Sequence, residues 1–357
     1  MTTTAALQIV LPDRVEPFEL QVVPINPPAP AAGQALIETV ATGISFAEQQ
    51  MRRGKYYDQP TFPFVPGYDV VGTVTAVGPD VDASWLGGTV AALTKTGGWA
   101  SHVLVDVERL VKVPTGLDPA AVETLVVNGV TAWQLLHREA GVRPGQTVVV
   151  LGANGGVGST LVQLAAHAGV TVIGAAAPRH HDAVRALGAI PVDRHTPDLA
   201  AQIRALAPGG VAAVFDHVGG PGVQASFELL AGGGTLVCYG SASTKDDPGS
   251  SRLPILALFG RLMLWNALPN RRRARFYNLW SGATRLGRSR PEFWVRIRED
   301  LGQVLTLLAD GTLQPQIAAR IPLAEAARGL ELAESGTVLG KVVLVSGTQP
   351  VDGAHGS

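Results

Sequence analysis

The sequence predicts an α/β chain: a doubly wound parallel sheet of the Rossmann type, joined to a second, mostly antiparallel β domain. Three observations carry that expectation. From residue 147 to residue 240, β-forming runs alternate with helix-like runs, a spacing that suits a parallel sheet covered on both faces. The first of these runs, Thr147-Val-Val-Val-Leu151, breaks into Gly152-Ala-Asn-Gly-Gly-Val-Gly158 and then into a helix. The first 125 residues read differently, as short strand-like runs punctuated by Pro and Gly.

In chain order, the N-terminal strands are expected at Ala35–Ala41, Val70–Val77, Thr89–Leu93 and His102–Val105. Pro114 to Pro119 leads into a helix, Ala120–Val126, and a second helix is expected over Thr131–Ala140. After strand Thr147–Leu151 come helix Ser159–Ala168, strand Thr171–Ala175, helix His181–Leu187 and a short strand, Ile190–Asp193. Helix Asp198–Leu206, strand Val211–Asp216, helix Gly222–Leu230 and strand Thr235–Gly240 complete the series. Near the C-terminus the pattern gives a helix over Phe293–Leu308, a turn at Ala309–Leu313, a helix over Ala324–Glu334 and a last strand, Lys341–Val345. That strand is expected to return to the first domain. The domains then run 1–126 with 287–346, and 127–286, and 347–357 is a polar tail expected to fray.

Composition narrows the function classes. The chain has 357 residues, 46% of them hydrophobic, enough for two domains with a large core. A net charge of −1 gives no general attraction to nucleic acid. The single cysteine, Cys238, sits on an expected buried strand and excludes a disulfide framework or a multi-cysteine zinc site. No basic leader with a long apolar core and no 18-residue apolar run is seen, so the expected location is the cytoplasm.

The glycine stretch reads as a phosphate cradle. Gly152 allows a sharp turn, Gly155 lets the backbone approach a pyrophosphate, and Gly158 lets the helix pack closely; the anion then rests on unpaired N–H groups at the positive helix end. NAD sites place a carboxylate at the end of the second strand. Here that position reads Ala175-Ala-Ala-Pro178, with no acid before Asp182, and Arg179 is available to fork a 2′-phosphate. NADP(H) is therefore the expected cofactor, held by Gly152, Asn154, Gly155, Gly156, Val157, Gly158, Ala175 and Arg179. Val218 and Gly219 after the fourth strand, and Gly240 and Ser241 at the end of the fifth, belong to the same set, because ligands sit at the carboxyl ends of such strands. His180 and His181, neighbours at a helix start, are expected to face solvent rather than bind metal.

Seven segments together resemble the medium-chain dehydrogenase/reductase superfamily, and within it the zinc-free quinone oxidoreductase and VAT-1-like branch. They are Gly43-Ile-Ser-Phe-Ala-Glu48, Arg53-Gly-Lys-Tyr56, Phe64-Val-Pro-Gly-Tyr-Asp69, Asn128-Gly-Val-Thr131, the glycine loop, Phe215-Asp-His-Val-Gly-Gly220 and Gly340-Lys-Val-Val-Leu344. The resemblance implies that the antiparallel domain is GroES-like, that the active site lies between the domains, that Asn128, Thr131 and Lys341 join the cofactor side, and that the protein is a homodimer. Where zinc alcohol dehydrogenases carry metal ligands, this chain has Ser45, Tyr68 and Val127, poor or impossible zinc ligands, so no metal is expected. Without a Lewis acid, activated double bonds are easier hydride acceptors than simple ketones. The implied substrate is a small quinone or α,β-unsaturated carbonyl.

Ser45, Glu48 and Tyr56 fall where the quinone oxidoreductases have Asn, Asp and Tyr. Ser45 and Glu48 also form a Ser-x-x-Glu capping box, and both roles are compatible. Tyr56, then Tyr68, rank first as proton donors, with Tyr57 adjacent. The alternative for each is a pocket wall, and for Asn128 a helix cap. Two other functions stay open: a zinc-independent ketone reductase or alcohol dehydrogenase using Tyr68 as acid, and a non-catalytic nucleotide-binding interaction or membrane-associated VAT-1-like protein. The stretch Pro248–Pro291 has nine arginines, no Asp or Glu, and an apolar run, Leu253–Leu268. A lid or dimer interface is preferred there over docking to a membrane surface.

Overall fold

The computed structural model describes residues 6–244, 252–285 and 288–346. The expected frayed tail 347–357 and the first part of the arginine-rich stretch, 248–251, lie outside the described residues. The chain divides into two compact units. One comprises 1–127, 297–309 and 315–357, and the other 128–296 and 310–314.

The first unit is built on antiparallel pairing. β1 (Leu7–Val10) pairs with β2 (Gln21–Pro24). The long β3 (Gln34–Ile44) pairs with β4 (Asp69–Val77) and with β6 (His102–Asp106). β5 (Thr89–Leu93) lies between β4 and the two-residue β7 (Val111–Lys112). Ile37, Val70, Val74, Val90, Ala92 and Leu110 make one core of this unit. Between β3 and β4 runs the short helix α1 (Phe46–Arg52).

The helix α2 (Pro119–Trp133) corrects the expected pair of helices. It does not stop before Asn128-Gly129; it continues into a π-helical segment, Gln134–Ala140, that ends at Gly141 with φ +60°. The reason is burial. Val126, Val127, Val130 and Ala132 are all inside, and a break there would strand buried backbone N–H and C=O groups. Asn128 is therefore in mid-helix and caps nothing.

The second unit has a six-stranded parallel sheet in the order β10-β9-β8-β11-β12-β13. Its strands are β8 (Thr147–Leu151), β9 (Thr171–Ala176), β10 (Ala189–Asp193), β11 (Val211–Asp216), β12 (Leu230–Cys238) and β13 (Arg273–Phe276). The connecting helices are α3 (Gly156–His167), α4 (His181–Ala186), α5 (Leu199–Leu206), α6 (Val223–Glu228) and α7 (Arg252–Ala267). Strand order reverses between β8 and β11, the switch point where such sheets take ligands. Val149, Ile173, Val214, Phe227, Leu236 and Trp265 form its core, with Phe227 and Trp265 stacked at 4.3 Å.

Two differences from the sequence reading concern β12 and β13. β12 begins at Leu230 and ends at Cys238, so Gly240 and Ser241 lie in the loop beyond it. β13, a sixth strand, emerges from the arginine-rich stretch. Its Arg-Ala-Arg-Phe pattern hides it: Ala274 is buried while Arg273 and Arg275 are exposed, as on a charged sheet edge. α7 buries Leu262 and Trp265 and exposes Leu256, Met263 and Leu264.

After a two-rung hairpin of β14 (Thr284–Arg285) and β15 (Arg288–Ser289) comes α8 (Pro291–Ala309). β16 (Ile317–Pro322), absent from the sequence reading, pairs parallel with β17 (Lys341–Val345), and β17 lies antiparallel to β3. α9 (Ala326–Glu334) sits between them in sequence. Among the described residues no helix is long and apolar enough to cross a membrane.

Candidate active site

At the end of β8 the backbone turns at Gly152, with φ +71°. The turn is held from below: the Gly152 and Ala153 N–H groups both donate to the Ala175 carbonyl at 3.0 Å, and Gly155 N–H donates to the Gly152 carbonyl at 3.0 Å. A Cβ at Gly152 would lie 2.2 Å from the His217 ring, and one at Gly158 would lie 2.1 Å from the Gly152 carbonyl oxygen. So Gly158 is required by the turn itself more than by the sheet. Gly155 is the N-cap of α3, and a Cβ there would meet only the Gly152 carbonyl, at 3.4 Å. Its other side is open, which suits an approaching phosphate. The Asn128 amide fills the space beside Gly156, where a Cβ would come within 2.3 Å of it. Asn154 and Thr131 are mostly buried, and Val157 is half-buried on the first turn of α3.

The neighbouring loops are laced together. Asp216, buried at the end of β11, accepts from Val218 N–H and Gly219 N–H with one carboxylate oxygen, both at 2.9 Å, and from the Ser226 hydroxyl with the other at 2.8 Å. Ala242 N–H donates to the His217 carbonyl at 3.1 Å and Ser243 N–H to the Val218 carbonyl at 2.9 Å. A Cβ on Gly240 would stand 2.6 Å from the His217 carbonyl oxygen. Val218, Gly219, Gly240 and Ser241 are thus brought to one place. His217 contacts the Leu151 carbonyl through Nδ1 at 2.9 Å, and burial lowers its pKa.

Arg179 is exposed, with Nε 3.3 Å from His180 Nε2. The expectation that both histidines face solvent fails. His180 is 8% exposed, and His181 Nε2 lies 3.2 Å from the Ala176 carbonyl oxygen. The short 3-10 turn Pro178–His180 tucks the first ring inward. Burial lowers the His180 pKa, and Arg179 and Arg194 lower it further. Arg194, whose N–H donates to the Ala176 carbonyl at 3.0 Å, is a second cation of this corner that sequence reading missed. Asp216 and His217 were inside a recognised segment, but nothing in their spacing marked them as braces.

In the first unit, Ser45 is the N-cap of α1. Its Oγ accepts from Ala47 N–H at 3.1 Å, and its hydroxyl donates to Glu48 in a short contact. Glu48 Oε2 accepts Ser45 N–H at 2.9 Å, completing the capping box, and Oε1 accepts Tyr68 N–H at 2.7 Å. Glu48 therefore ties the start of α1 to the segment before β4. Its burial raises its pKa, and the nearby Asp69 adds to that.

Tyr56, Tyr57 and Tyr68 meet at their hydroxyls. Tyr56 donates to Tyr57 at 3.1 Å and makes a short hydrogen bond with Tyr68. The Tyr56 and Tyr68 rings stand edge to face at 6.2 Å. Tyr68 is 5% exposed and Tyr57 38%. Burial, and then the two other phenols, raise the Tyr56 pKa well above the usual tyrosine value. The backbone before Tyr56 is pinned by Glu334 of α9, which takes a fork from Arg52 (2.9 and 2.7 Å) and a third bond from Arg53 at 2.9 Å.

Lys341 is not a surface cation. It is 3% exposed, with Nζ 2.8 Å from Asp69 and 2.5 Å from Glu123, both buried. Burial works against the ammonium, but the two carboxylates outweigh it and hold its pKa above the usual lysine value. Burial also pushes the Glu123 carboxyl up, with Asp69 adding to the shift. A Cβ on Gly43 would strike Glu123 at 2.1 Å and Lys341 at 2.4 Å, so the β3 backbone closes over this cluster. The family resemblance places Lys341 on the cofactor side; the structure pairs its ammonium with these two carboxylates. Of the three positions aligned with zinc ligands, Ser45 and Tyr68 are engaged as above and Val127 is buried. Among the described residues no group of three or more His, Cys, Asp or Glu is placed to hold a metal.

Residues 31–115 match the family described as alcohol dehydrogenase GroES-like domain, and residues 187–344 match the one described as zinc-binding dehydrogenase. The human synaptic vesicle membrane protein VAT-1 homolog is 30% identical over 338 residues, covering 93% of this chain and 84% of that protein. A mycobacterial protein solved as a complex with NADPH is 27% identical and superposes with a TM-score of 0.80 over 96% of this chain and 100% of its own. A quinone oxidoreductase from Pseudomonas syringae pv. tomato is 25% identical, with a TM-score of 0.80 over 95% of this chain and 99% of its own. With a Rossmann-type sheet, a GroES-like unit and similarity along nearly its whole length, the chain belongs to the medium-chain dehydrogenase/reductase superfamily, in the branch of quinone oxidoreductases and VAT-1-like proteins.

Proposed function

We propose that this chain is an NADPH-dependent oxidoreductase that transfers a hydride, without zinc, to a quinone or an α,β-unsaturated carbonyl. The observation that carries the reading is the set of three tyrosine hydroxyls bonded to one another, one of them Tyr68, where relatives place a metal ligand. An acceptor reduced here has phenols, not a Lewis acid, to meet its developing negative charge. Charge spread over an enolate or hydroquinone needs no more than that.

The residues fit the cofactor. The open side of Gly155 at the N-terminus of α3 suits a pyrophosphate, and Gly152 and Gly158 admit no side chain that would close the turn. Arg179, with Arg194 nearby, supplies positive charge for a 2′-phosphate where an NAD site would carry an acid. Val218, Gly219, Gly240 and Ser241, braced by Asp216, would line the nicotinamide end, with Asn128 and Thr131. When bound, NADPH supplies a hydride from its nicotinamide ring. The chain's own part is to orient the acceptor and provide a proton. The family resemblance implies that Tyr56 stands near the nicotinamide, and its raised pKa keeps the phenol protonated through the physiological range. Ser45 and Glu48 fix the segment from which Tyr68 projects.

The test mixes purified protein with NADPH and, separately, quinones, enones and simple ketones, following absorbance at 340 nm. Oxidation with quinones or enones supports the proposal. Turnover of ketones alone points to a ketone reductase, and binding without oxidation in any mixture points to a nucleotide-binding module. Metal analysis of the active protein tests the zinc-free part directly.

A further inference from the structure

We propose that the three phenols act as a proton relay in which Tyr57 is the port to solvent, Tyr56 the donor to the reduced substrate, and Tyr68 a buried positioning residue. This rests on the proposed function and adds to it the route by which the donor is refilled. Tyr56 sits in the middle: its hydroxyl reaches Tyr57 at 3.1 Å on one side and Tyr68 on the other. The two flanking rings differ sharply in exposure, 38% for Tyr57 against 5% for Tyr68. Tyr56 itself is half-buried, so exposure falls along the chain of hydroxyls from Tyr57 through Tyr56 to Tyr68, and Tyr57 has the widest access to water. The Tyr56 and Tyr57 rings lie 4.5 Å apart and tilted, so the pair is packed rather than hanging free. The following residue, Asp58, is bound to Lys95 at 2.5 Å, and Arg52 and Arg53 are held by Glu334, which fixes the segment from both ends.

The chemistry balances as follows. Hydride addition to the β-carbon of an enone forms a C–H bond and moves the π pair of the double bond into an enolate. The Tyr56 O–H bond then breaks, its proton forms the C–H bond at the α-carbon, and a phenolate is left. Tyr57 gives its proton to that phenolate and takes one from water. The sum is one hydride from NADPH and one proton from solvent added to the double bond. A hydroxyl rotates about its C–O bond, so the resting direction, Tyr56 donating to Tyr57, reverses without moving a ring. The Tyr56 phenolate is a strong base and would stop turnover unless refilled, which is why a hydrogen-bonded neighbour with wider solvent access matters here. Tyr68, by hydrogen-bonding to the same oxygen, holds the Tyr56 phenol in line.

The experiment compares wild type with Tyr57→Phe and Tyr57→His in enone reduction, in H2O and D2O. Tyr57→Phe is expected to lower kcat about tenfold, with KM within about twofold, and to raise the solvent isotope effect on kcat above about 2. Added imidazole, a diffusible proton carrier, is expected to restore most of that loss. Tyr57→His, which keeps a titratable group at the port, is expected to retain more than about half of kcat. Rescue by imidazole is a readout that a packing role would not give. A Tyr57→Phe enzyme with wild-type kcat and isotope effect overturns the relay, as does a loss in both variants that imidazole leaves untouched. If wild type fails to oxidise NADPH when enones and quinones are supplied, the proposed function falls and the relay with it; an active wild type matched by Tyr57→Phe removes the relay alone.

Discussion

The glycine loop of one unit and the phenol and ion cluster of the other are built on opposite principles. The loop is made by leaving side chains out: Gly152 at φ +71° and Gly158 against the Gly152 carbonyl work because nothing projects. Its partners are backbone atoms close in sequence or on the adjacent strand. The other cluster is made by side chains brought in from a distance. Lys341 reaches Asp69 across 272 positions and Glu123 across 218, and Arg52 reaches Glu334 across 282. A backbone site tolerates change around it but not within it. A side-chain cluster depends on every charge having its counterpart.

Loss of one member should therefore hurt most in the buried cluster. Lys341→Met leaves Asp69 and Glu123 inside without a counter-charge and is expected to cost about 3–5 kcal/mol of folding stability, measured by urea unfolding near neutral pH. A cost under about 1 kcal/mol means that the carboxylates are neutral there, and the contrast collapses. Next, Tyr56→Phe is expected to lower kcat about 100-fold, ~2.7 kcal/mol, with NADPH affinity unchanged by calorimetric titration. If kcat survives, proton donation belongs to another group. Gly158→Ala forces a methyl against the Gly152 carbonyl and is expected to weaken NADPH binding by about 1–3 kcal/mol, read by the same titration. Unaltered affinity would mean that the turn relaxes and is not the cradle. Arg179→Ala is expected to weaken NADPH about tenfold and to leave NADH alone. Equal losses for both would place its charge away from the 2′-phosphate.

The smallest effect concerns pH. The folded pKa of Glu48 is raised, chiefly by burial, so the native state keeps a proton that the unfolded chain releases. This carboxyl contributes most to stability in acid, and its contribution declines as pH rises from the ordinary carboxylate range through the raised folded value. Glu48→Gln removes that slope. The stability difference between wild type and variant, from urea melts at about pH 5 and about pH 8, is expected to move against wild type as pH rises. A constant difference would show that Ser45 and Tyr68 hold Glu48 ionised throughout.

How much could be read beforehand differs between the regions for the same reason. The parallel sheet was legible because Thr147–Leu151 and Val211–Asp216 are continuous apolar strands, and the capping box because Ser45 and Glu48 are three apart. β13 was hidden by its edge arginines, and the break expected at Asn128-Gly129 was overridden by the burial of α2. Glu123 carried no signal at all, lying within an apolar helix with its partner on the last strand.

What the amino-acid order determined alone is local: the continuous apolar strands of the parallel sheet, where glycine permits a left-handed turn, and that no acid stands between β9 and Asp182 to repel a 2′-phosphate. Those are local properties, set by sterics and by charge within a few residues. Tertiary structure decided that Lys341 belongs to a buried ion cluster, that His180 turns inward, and that three phenols share hydrogen bonds with one at the surface. Each of those depends on desolvation and on contacts between distant segments, which come into being only when the chain has closed upon itself.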